Sequence, residues 1–257
     1  MVMNQLLTRL AAAIFVMSFV SCEKSESKVF RDNKADIKNC RVTQIIYSPC
    51  CGIKNTMVFA YNTWGDPITI TQTPLVGTGT PNYFFKYDKK RRLTELLGLY
   101  NGGDGGEVWH KYFYENPGNS NIVLDSNYLF PSFQNGIMIW YHTASATFFT
   151  YDKLGRITKD STISTLYQAG QYTIVNNYVY DANGNLSGPV YDDQVNINQT
   201  HPIWMFLNRD YSLNNPFVAD AYNSAGLPAR INLPAKSGSV EFLHSSFKQG
   251  AISYECQ

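Results

Sequence analysis

Side chains that could carry acid–base or metal chemistry are few and scattered in this sequence. The four histidines, His110, His142, His201 and His244, lie far apart, with no H-E-x-x-H motif and no pair at i, i+4 spacing. Metal binding and proton transfer both need such groups to converge. The histidines therefore predict no catalytic residue, no metal site and no cofactor. Only His201, beside the start of a predicted helix, is kept as a candidate binding residue.

Motifs that usually support enzyme chemistry are also missing. The chain contains no G-x-S-x-G motif, no Walker loop and no G-x-G-x-x-G loop, so acyl transfer, nucleotide hydrolysis and dinucleotide binding lack their usual supports. With 21 Lys and Arg against 20 Asp and Glu, the chain has no electrostatic reason to bind nucleic acid. These absences favour a non-catalytic protein without a nucleotide or nucleic-acid partner.

Aromatic side chains are the most abundant candidates for binding. The chain has 4 Trp, 18 Tyr and 15 Phe, which could stack on sugar rings or line a peptide groove. We expect most of them in the core. The candidates are Trp64, Trp109, Trp140 and Trp204, and Trp64 is the best exposed of them because it lies inside a predicted turn.

Cysteine chemistry points to disulfides. Beyond Cys22 the chain has Cys40, Cys50, Cys51 and Cys256, an even number that predicts two bridges in an exported protein. Neighbouring Cα atoms lie about 3.8 Å apart, too close for Cys50 and Cys51 to bond each other. We expect Cys40 to bond one of them and Cys256 the other, in an order left open, which would fasten the last strand to the first. No C-x-x-C spacing supports a thiolate metal site.

The N-terminus has the features of an export signal. Residues 1–21 combine one cation, Arg9, with an apolar run too short to span a bilayer. Residues 19–22 resemble a bacterial lipobox, with Phe19 in place of the usual Leu, and the resemblance implies acylation of Cys22 and an outer-membrane lipoprotein on the periplasmic or cell-surface face. The alternative is ordinary cleavage with Cys22 incidental. Residues 22–38, charged and Ser-rich, are predicted to be a flexible tether.

An internal repeat dominates the remaining chain. An aromatic residue, a Tyr and an Asp or Asn precede a turn residue in segments 59–65, 85–91, 149–155 and 178–184, with degenerate copies at 221–226 and 113–118. The Asp or Asn side chain caps backbone N–H groups, and Gly three residues later takes the positive φ that closes a hairpin. Each repeat therefore predicts a strand, a tight turn and a second strand.

These segments resemble the YD repeats of the RHS family, and 151–157 is the closest match. Arg91 in place of Gly and the irregular spacing depart from that family's pattern. The chain also looks like small exported lipoproteins that carry such hairpins and end in Tyr-Glu-Cys, here Tyr254 to Cys256. Neither resemblance implies an activity.

The fold that positions these candidates is all-β. We expect residues 39–257 to form one domain, an antiparallel meander of hairpins in a strongly curved sheet or half-barrel, because wide flat sheets are unstable. A closed barrel is the alternative. One short helix near 201–209, with Thr200 as its N-cap and Pro202 in its first turn, should plug the concave side.

These features favour a non-catalytic surface lipoprotein that binds a glycan, a peptide or a partner protein. Two alternatives stay open. An envelope hydrolase would assemble its site from distant strands, with convergent carboxylates or a His beside a carboxylate in a pocket. A half-barrel that shields a lipid would instead have an open apolar cavity on its concave side, which residues 202–209 do not fill.

Overall fold

The structure is a computed structural model that describes residues 40–48, 54–74, 78–100, 103–166 and 170–256. The predicted signal peptide, the predicted tether, Cys22, Cys50 and Cys51 lie outside these residues, so their predictions stay open. A search of the described residues for a helix of the length and hydropathy needed to cross a membrane finds none.

Strands make up most of the described chain. They are β1 (Cys40–Ser48), β2 (Asn55–Tyr61), β3 (Pro67–Thr73), β4 (Asn82–Tyr87), β5 (Leu93–Leu99), β6 (Gly106–Tyr114), β7 (Ile122–Leu129), β8 (Ser132–Gln134), β9 (Ile137–Trp140), β10 (Thr143–Tyr151), β11 (Ile157–Leu166), β12 (Gly170–Asn177), β13 (Ala221–Tyr222), β14 (Pro228–Asn232), β15 (Val240–Phe242), β16 (Ser245–Phe247) and β17 (Gln249–Cys256). A 3₁₀ helix, Ile197–Thr200, and one α-helix, α1 (Pro202–Leu207), separate β12 from β13.

Thirteen strands form one antiparallel sheet in the order β12-β11-β10-β7-β6-β5-β4-β3-β2-β1-β17-β14-β13. The order follows the chain from β1 to β12 except where the β8–β9 hairpin leaves the sheet. The last strand returns beside the first, and β14 and β13 follow it. The predicted all-β meander is therefore confirmed. Among the described residues β12 and β13 end the order without pairing to each other, so the sheet is open and the closed-barrel alternative is wrong.

The sheet wraps around α1. The Trp204 ring lies 5.8 Å from the rings of Phe59 on β2 and Phe85 on β4. The Phe206 ring lies 5.5 Å from Tyr112 on β6 and 5.3 Å from Phe149 on β10. In a flat sheet β2 and β10 would stand about 29 Å apart, at about 4.8 Å per strand. A helix of six residues is only about 9 Å long. The sheet must therefore curve strongly for both rings to make these contacts.

The helix prediction is confirmed in position and corrected at its start. α1 lies within the predicted 201–209, with Pro202 in its first turn, but the N-cap is His201, whose Nδ1 accepts the N–H of Ile203 at 3.2 Å. Thr200 instead ends the preceding 3₁₀ helix, where its hydroxyl donates to the Ile197 carbonyl. The N-cap acceptor is therefore a ring nitrogen of His201, and not the hydroxyl oxygen of Thr200 that the sequence predicted.

The disulfide pairing differs from the expectation. Cys40 is bonded to Cys256, not to a member of the Cys50–Cys51 pair. The two cysteines face each other across β1 and β17 in register, with Cα atoms 4.0 Å apart. The expectation that the last strand is fastened to the first is correct, but one direct bridge achieves it.

The repeat turns have the predicted geometry. At Asp152, Oδ1 accepts the N–H groups two and four residues later, at 2.8 and 3.0 Å. The same pair of bonds recurs at Asn62, Asp88, Asp181 and Asn223. The third residue after each has positive φ; these residues are Gly65, Arg91, Gly155, Gly184 and Gly226.

Candidate functional site

A groove of about 1690 Å³ opens between the repeat turns and the segment 191–214, which we call the plug. The plug contains the 3₁₀ helix and α1. One wall comes from the turns at 88–92, 152–156 and 181–185. The other comes from plug residues, among them His201 and Tyr211. The groove therefore lies at the end of the sheet where the repeat turns line up.

Repeat tyrosines hold the turn wall in place. The Tyr87 hydroxyl donates to the Pro67 carbonyl at 2.6 Å, and Tyr151 donates to the Ile122 carbonyl at 2.6 Å. Each acceptor is the first residue of the neighbouring strand that belongs to the preceding hairpin. Tyr114, Tyr180 and Tyr254 make the same bond, and Tyr61 makes a similar one to the carbonyl of Val42, the third residue of β1. These bonds join successive hairpins at the groove end, where no turn connects them.

Arginines of the turn wall are held by ion pairs within it. Arg91 binds Asp66 through two nitrogens, at 2.8 and 3.0 Å. Burial of the Asp66 carboxyl alone would raise its pKa, but hydrogen bonds from Arg91 and Asn62 outweigh burial and hold the pKa below its usual value. Asp66 is therefore a carboxylate at neutral pH, and the Arg91 charge is already compensated.

Two further arginines repeat one arrangement. Arg156 Nε donates to Asp152 Oδ2 at 2.8 Å, and its guanidinium carbon lies 4.0 Å from the centroid of the Tyr180 ring. Arg92 does the same with its own turn Asp88 and with the Tyr114 ring, at 2.8 and 4.2 Å. Each arginine thus stacks on the tyrosine of the next repeat, which stiffens the wall.

Charge in the groove is balanced. Its lining contains four acidic residues, Asp66, Asp181, Asp192 and Asp193, and four basic ones, Lys90, Arg91, Arg92 and Arg156. Three of the four cations are paired with carboxylates inside the protein. A strongly charged ligand would gain little from such a lining, whereas a neutral polar ligand would meet many donors and acceptors.

The plug wall offers polar groups that the fold does not use up. Burial raises the pKa of the Tyr211 phenol, so it stays a neutral donor at physiological pH. Among the described residues, the Tyr211 hydroxyl has no hydrogen-bond partner; only its backbone carbonyl is engaged, by Gln199. Asp192, in contrast, is occupied by the Tyr222 hydroxyl at 2.7 Å and by Asn215. Tyr211 is therefore a free donor on the plug wall of the groove.

His201 lines the groove but serves the fold. Burial lowers its pKa from 6.5 to about 4; Asp66 opposes this shift, and Arg91 and Arg41 add to it. A neutral ring is what its N-cap bond needs, because Nδ1 must accept the Ile203 N–H. The structure therefore gives this candidate binding residue a capping role.

A second polar cluster lies on the concave face, beneath the plug. His110 Nδ1 on β6 lies 2.9 Å from both carboxylate oxygens of Asp125 on β7. Asp160 on β11 accepts the Tyr178 hydroxyl at 2.6 Å. Arg209, just after α1, lies 3.8 Å from Asp125 and 3.9 Å from Asp160. None of these five side chains is part of the groove lining.

Arg209 and the β15–β16 hairpin close over this cluster. The Arg209 guanidinium carbon lies 4.5 Å from the Phe206 ring centroid and 4.4 Å from that of Phe149. His244, in the hairpin turn, lies 6.3 Å from the His110 ring. Burial lowers the His244 pKa to about 4, His110 and Arg209 add to the shift, and Asp125 and Glu107 oppose it. The cluster thus pins the plug and the hairpin to the sheet.

The predicted tryptophans separate into different environments. Trp64 is 67% exposed in its turn, with Arg91 5.9 Å above its ring. Trp140 is 55% exposed in the β8–β9 hairpin. Trp109 is half-buried and donates to Glu95. Trp204 is fully buried, so its candidacy for ligand binding is wrong: its indole fills the core between Phe59, Phe85 and Phe242.

Sequence reasoning missed Tyr211 and the His110–Asp125 cluster. Tyr211 belongs to no repeat, and His110 and Asp125 are 15 positions apart with a turn between them. Only the register of β6 and β7 brings them together. Arg92 and Arg156 could have been found, because both occupy the fourth position after the repeat Asp.

Comparisons with known proteins add little to this geometry. No family model matches the chain, and no curated protein matches it. Among solved structures, a crystal structure of TcdB2-TccC3-TEV is similar at 14% sequence identity over 73% of this chain, with a TM-score of 0.28. The chain spans about 9% of the length of that structure's chain. A likeness this distant carries no argument about function.

Proposed function

We propose that this protein is a non-catalytic binding module, anchored to the outer membrane through acylated Cys22, whose groove takes a neutral oligosaccharide. The observation that carries the binding role is the groove itself. Its volume of about 1690 Å³ exceeds the roughly 300–1,000 Å³ of ordinary small-molecule sites, so an extended ligand of several units fits it better.

The chemistry of the lining favours sugars over charged ligands. Four acidic and four basic residues balance, and most of the cations are held by neighbouring carboxylates. Tyr211 supplies a neutral hydroxyl donor. Trp64, exposed beside the groove residue Arg91, offers a flat apolar face for a sugar ring. A neutral polyhydroxyl ligand matches this combination, and a peptide or partner protein is the competing outcome.

The alternatives considered from the sequence find less support. An acid–base pair for hydrolysis should face the groove, but His110 and Asp125 lie outside its lining and hold the plug instead. A lipid-shielding half-barrel needs an open apolar cavity, whereas Trp204 and Phe206 fill the concave side. The latter alternative is therefore not retained.

Binding is tested with an array of neutral glycans, followed by calorimetry on the oligosaccharide that gives the strongest signal. We expect Tyr211→Phe, which removes one donor, to weaken binding about two- to tenfold. Trp64→Ala should weaken it about three- to tenfold. Tyr172→Phe, on the exposed strand β12, is the matched control and should bind like the wild type. A blank array, capture of peptides only, or turnover of a glycan by the purified protein would overturn the proposal.

Anchoring is tested separately by mass spectrometry of the mature N-terminus. We expect a thioether-linked diacylglyceryl group on Cys22, and its loss in Cys22→Ser. A mature chain that begins elsewhere, or carries no acyl chain, would refute anchoring without affecting the glycan test.

A further inference from the structure

The β8–β9 hairpin exposes a cluster of large apolar side chains at the end of the sheet opposite the groove. Its members, which we call the hairpin patch, are Phe130, Ile137, Ile139, Trp140 and Tyr141, with exposed fractions of 38%, 68%, 61%, 55% and 42%. Four of the five lie within residues 137–141, and three of them are among the eight most exposed large apolar side chains of the described residues. Soluble surfaces rarely concentrate apolar residues in this way without an interaction partner.

The segment that carries this patch has no charged side chain, and the acidic residues Asp104 and Glu107 meet only the base of the hairpin, where their carbonyls accept the N–H groups of Phe133 and Phe130. Residues 126–151 contain no Asp, Glu, Lys or Arg, although at the chain's average of 16% these 26 residues would carry about four. A protein partner is usually chosen with the help of complementary charges at the rim of the interface. An uncharged patch lacks that device, but it suits the interface of an electrically neutral bilayer.

The order of the side chains also fits a bilayer interface. Ile137 follows the hairpin tip, and Trp140 and Tyr141 lie nearer the base. Aliphatic residues at the tip would reach the acyl region. Trp and Tyr prefer the headgroup level, where an apolar ring and a polar atom are both satisfied.

The hairpin is fixed on the sheet and needs no reordering to present this patch. Its tip, Asn135 and Gly136, has φ of 51° and 74°, as in a two-residue hairpin turn that matches strand twist. Its base packs on the convex face, with Phe133 5.6 Å from the Trp109 ring and Tyr141 5.1 Å from the Tyr128 ring. Insertion would therefore cost little conformational entropy.

The chain between the proposed anchor and the fold is long enough for the patch to reach the same membrane. Cys40 lies at the groove end of β1, because the neighbouring Val42 carbonyl binds the repeat Tyr61. The patch is at most about 30 Å away along the strands and 29 Å across them. The 18 residues from Cys22 to Cys40 can span up to about 60 Å. This step rests on the proposed acylation; insertion of the patch does not.

We propose that the hairpin patch inserts into the interfacial layer of a neutral phospholipid bilayer. The body then lies on the membrane with the groove, at the opposite end of the strands, facing away from it. A lipid anchor and a rigid apolar hairpin together give the two signals that stable membrane binding usually requires.

The test uses the chain from residue 22 onward with Cys22→Ser, so that no acyl chain contributes, and vesicles of phosphatidylcholine. We expect flotation with the vesicles, and less than a twofold change between low and high salt, because the patch carries no charge. The double variant Ile137→Ser and Ile139→Ser should lose at least tenfold in partitioning. The matched control, Val190→Ser and Val218→Ser, removes two side chains that are 89% and 71% exposed elsewhere, and should partition like the parent.

Depth is read from tryptophan fluorescence with brominated phosphatidylcholine. Bromolipid should quench the parent, and Trp140→Phe should remove that quenching while it preserves flotation. Equal partitioning of the two double variants, or binding that needs anionic lipid, overturns the proposal. A self-association that the Ile137 and Ile139 changes abolish, without any vesicle binding, assigns the patch to a second copy and also overturns it. Because Cys22 is absent throughout, these outcomes are independent of whether the protein is acylated.

Discussion

His201 at the start of α1 both caps the helix and makes its stability depend on pH, and replacement by Asn separates these two effects. In the structure His201 Nδ1 accepts the Ile203 N–H at 3.2 Å, and its side chain is only 17% exposed. Asn is a good N-cap and offers an oxygen acceptor at a similar position, but it does not titrate. His201→Asn should therefore keep the cap and remove the pH dependence of this site.

The magnitude follows from the pKa of His201, which burial lowers from 6.5 to about 4. Because the folded pKa is lower than the unfolded one, the unfolded chain binds more protons between these values. Stability is fully present above pH 6.5 and falls as the pH drops toward 4, where the loss is complete. The full loss is about 3 kcal/mol, and about 2 kcal/mol of it is reached at pH 5. His244, with its pKa also lowered to about 4, adds a similar loss.

Urea unfolding between pH 8 and pH 5 measures both effects. The wild type should lose about 4 kcal/mol of unfolding free energy from these two histidines, and His201→Asn about 2 kcal/mol. At pH 8 the variant should lie within about 1 kcal/mol of the wild type, because the cap is retained. Val190→Asn, at a position that is 89% exposed, is the control and should keep the wild-type slope. An unchanged slope in His201→Asn would refute the link between burial of this ring and acid sensitivity.

Three further changes test the frame around the groove. The double variant Cys40→Ser and Cys256→Ser removes a disulfide that links residues 216 positions apart, and should lower the free energy of unfolding in urea by up to about 5 kcal/mol. Reduction of the wild-type disulfide should give the same loss, and an unchanged urea midpoint would contradict this. Asp152→Ala removes the acceptor of two N–H groups and should lower the free energy of unfolding by about 1–2 kcal/mol. Asp152→Asn keeps an oxygen acceptor and should lower it by less than about 1 kcal/mol. Equal losses in the two variants would argue against the capping role. Gly155 has φ 76°, so Gly155→Ala should cost about 1 kcal/mol in thermal unfolding, and Gly155→Asn less. An added Cβ would meet nothing nearer than 3.9 Å, so a loss much larger than this would show that backbone strain is not the cause.

Local structure was predictable from this sequence because the repeats carry their own hydrogen bonds. The Asp152 turn is built from atoms within five residues, so its motif specifies its geometry. Arg91 is the exception among the repeat turns, because it takes the positive-φ position that the other repeats give to glycine. It adopts φ 63° without being glycine, and its two bonds to Asp66 stabilise that conformation. The sequence predicted the turn there but could not predict this compensation, because Asp66 belongs to the preceding turn.

Long-range pairings were not predictable in the same way. Cys40 meets Cys256 because β17 returns beside β1, and no local signal near either cysteine specifies that register. His201 and Tyr211 reach the groove only because the plug folds back over the concave face. An N-cap histidine was also hard to foresee, since its ring must stay neutral in a buried site that only the packed plug creates.

The tyrosine bonds explain how irregularly spaced repeats can still produce one continuous groove wall. Within a hairpin the repeat turn holds two strands together, but at the same end of the sheet nothing covalent joins one hairpin to the next. The Tyr151 hydroxyl closes that gap at the Ile122 carbonyl, even though the whole β8–β9 hairpin is inserted between them in the chain. Because the bond depends on neighbouring strands rather than on sequence distance, insertions at the opposite end leave the wall intact. The groove end and the hairpin-patch end of this sheet can therefore vary independently, which is what a binding face and a membrane-facing surface on one scaffold require.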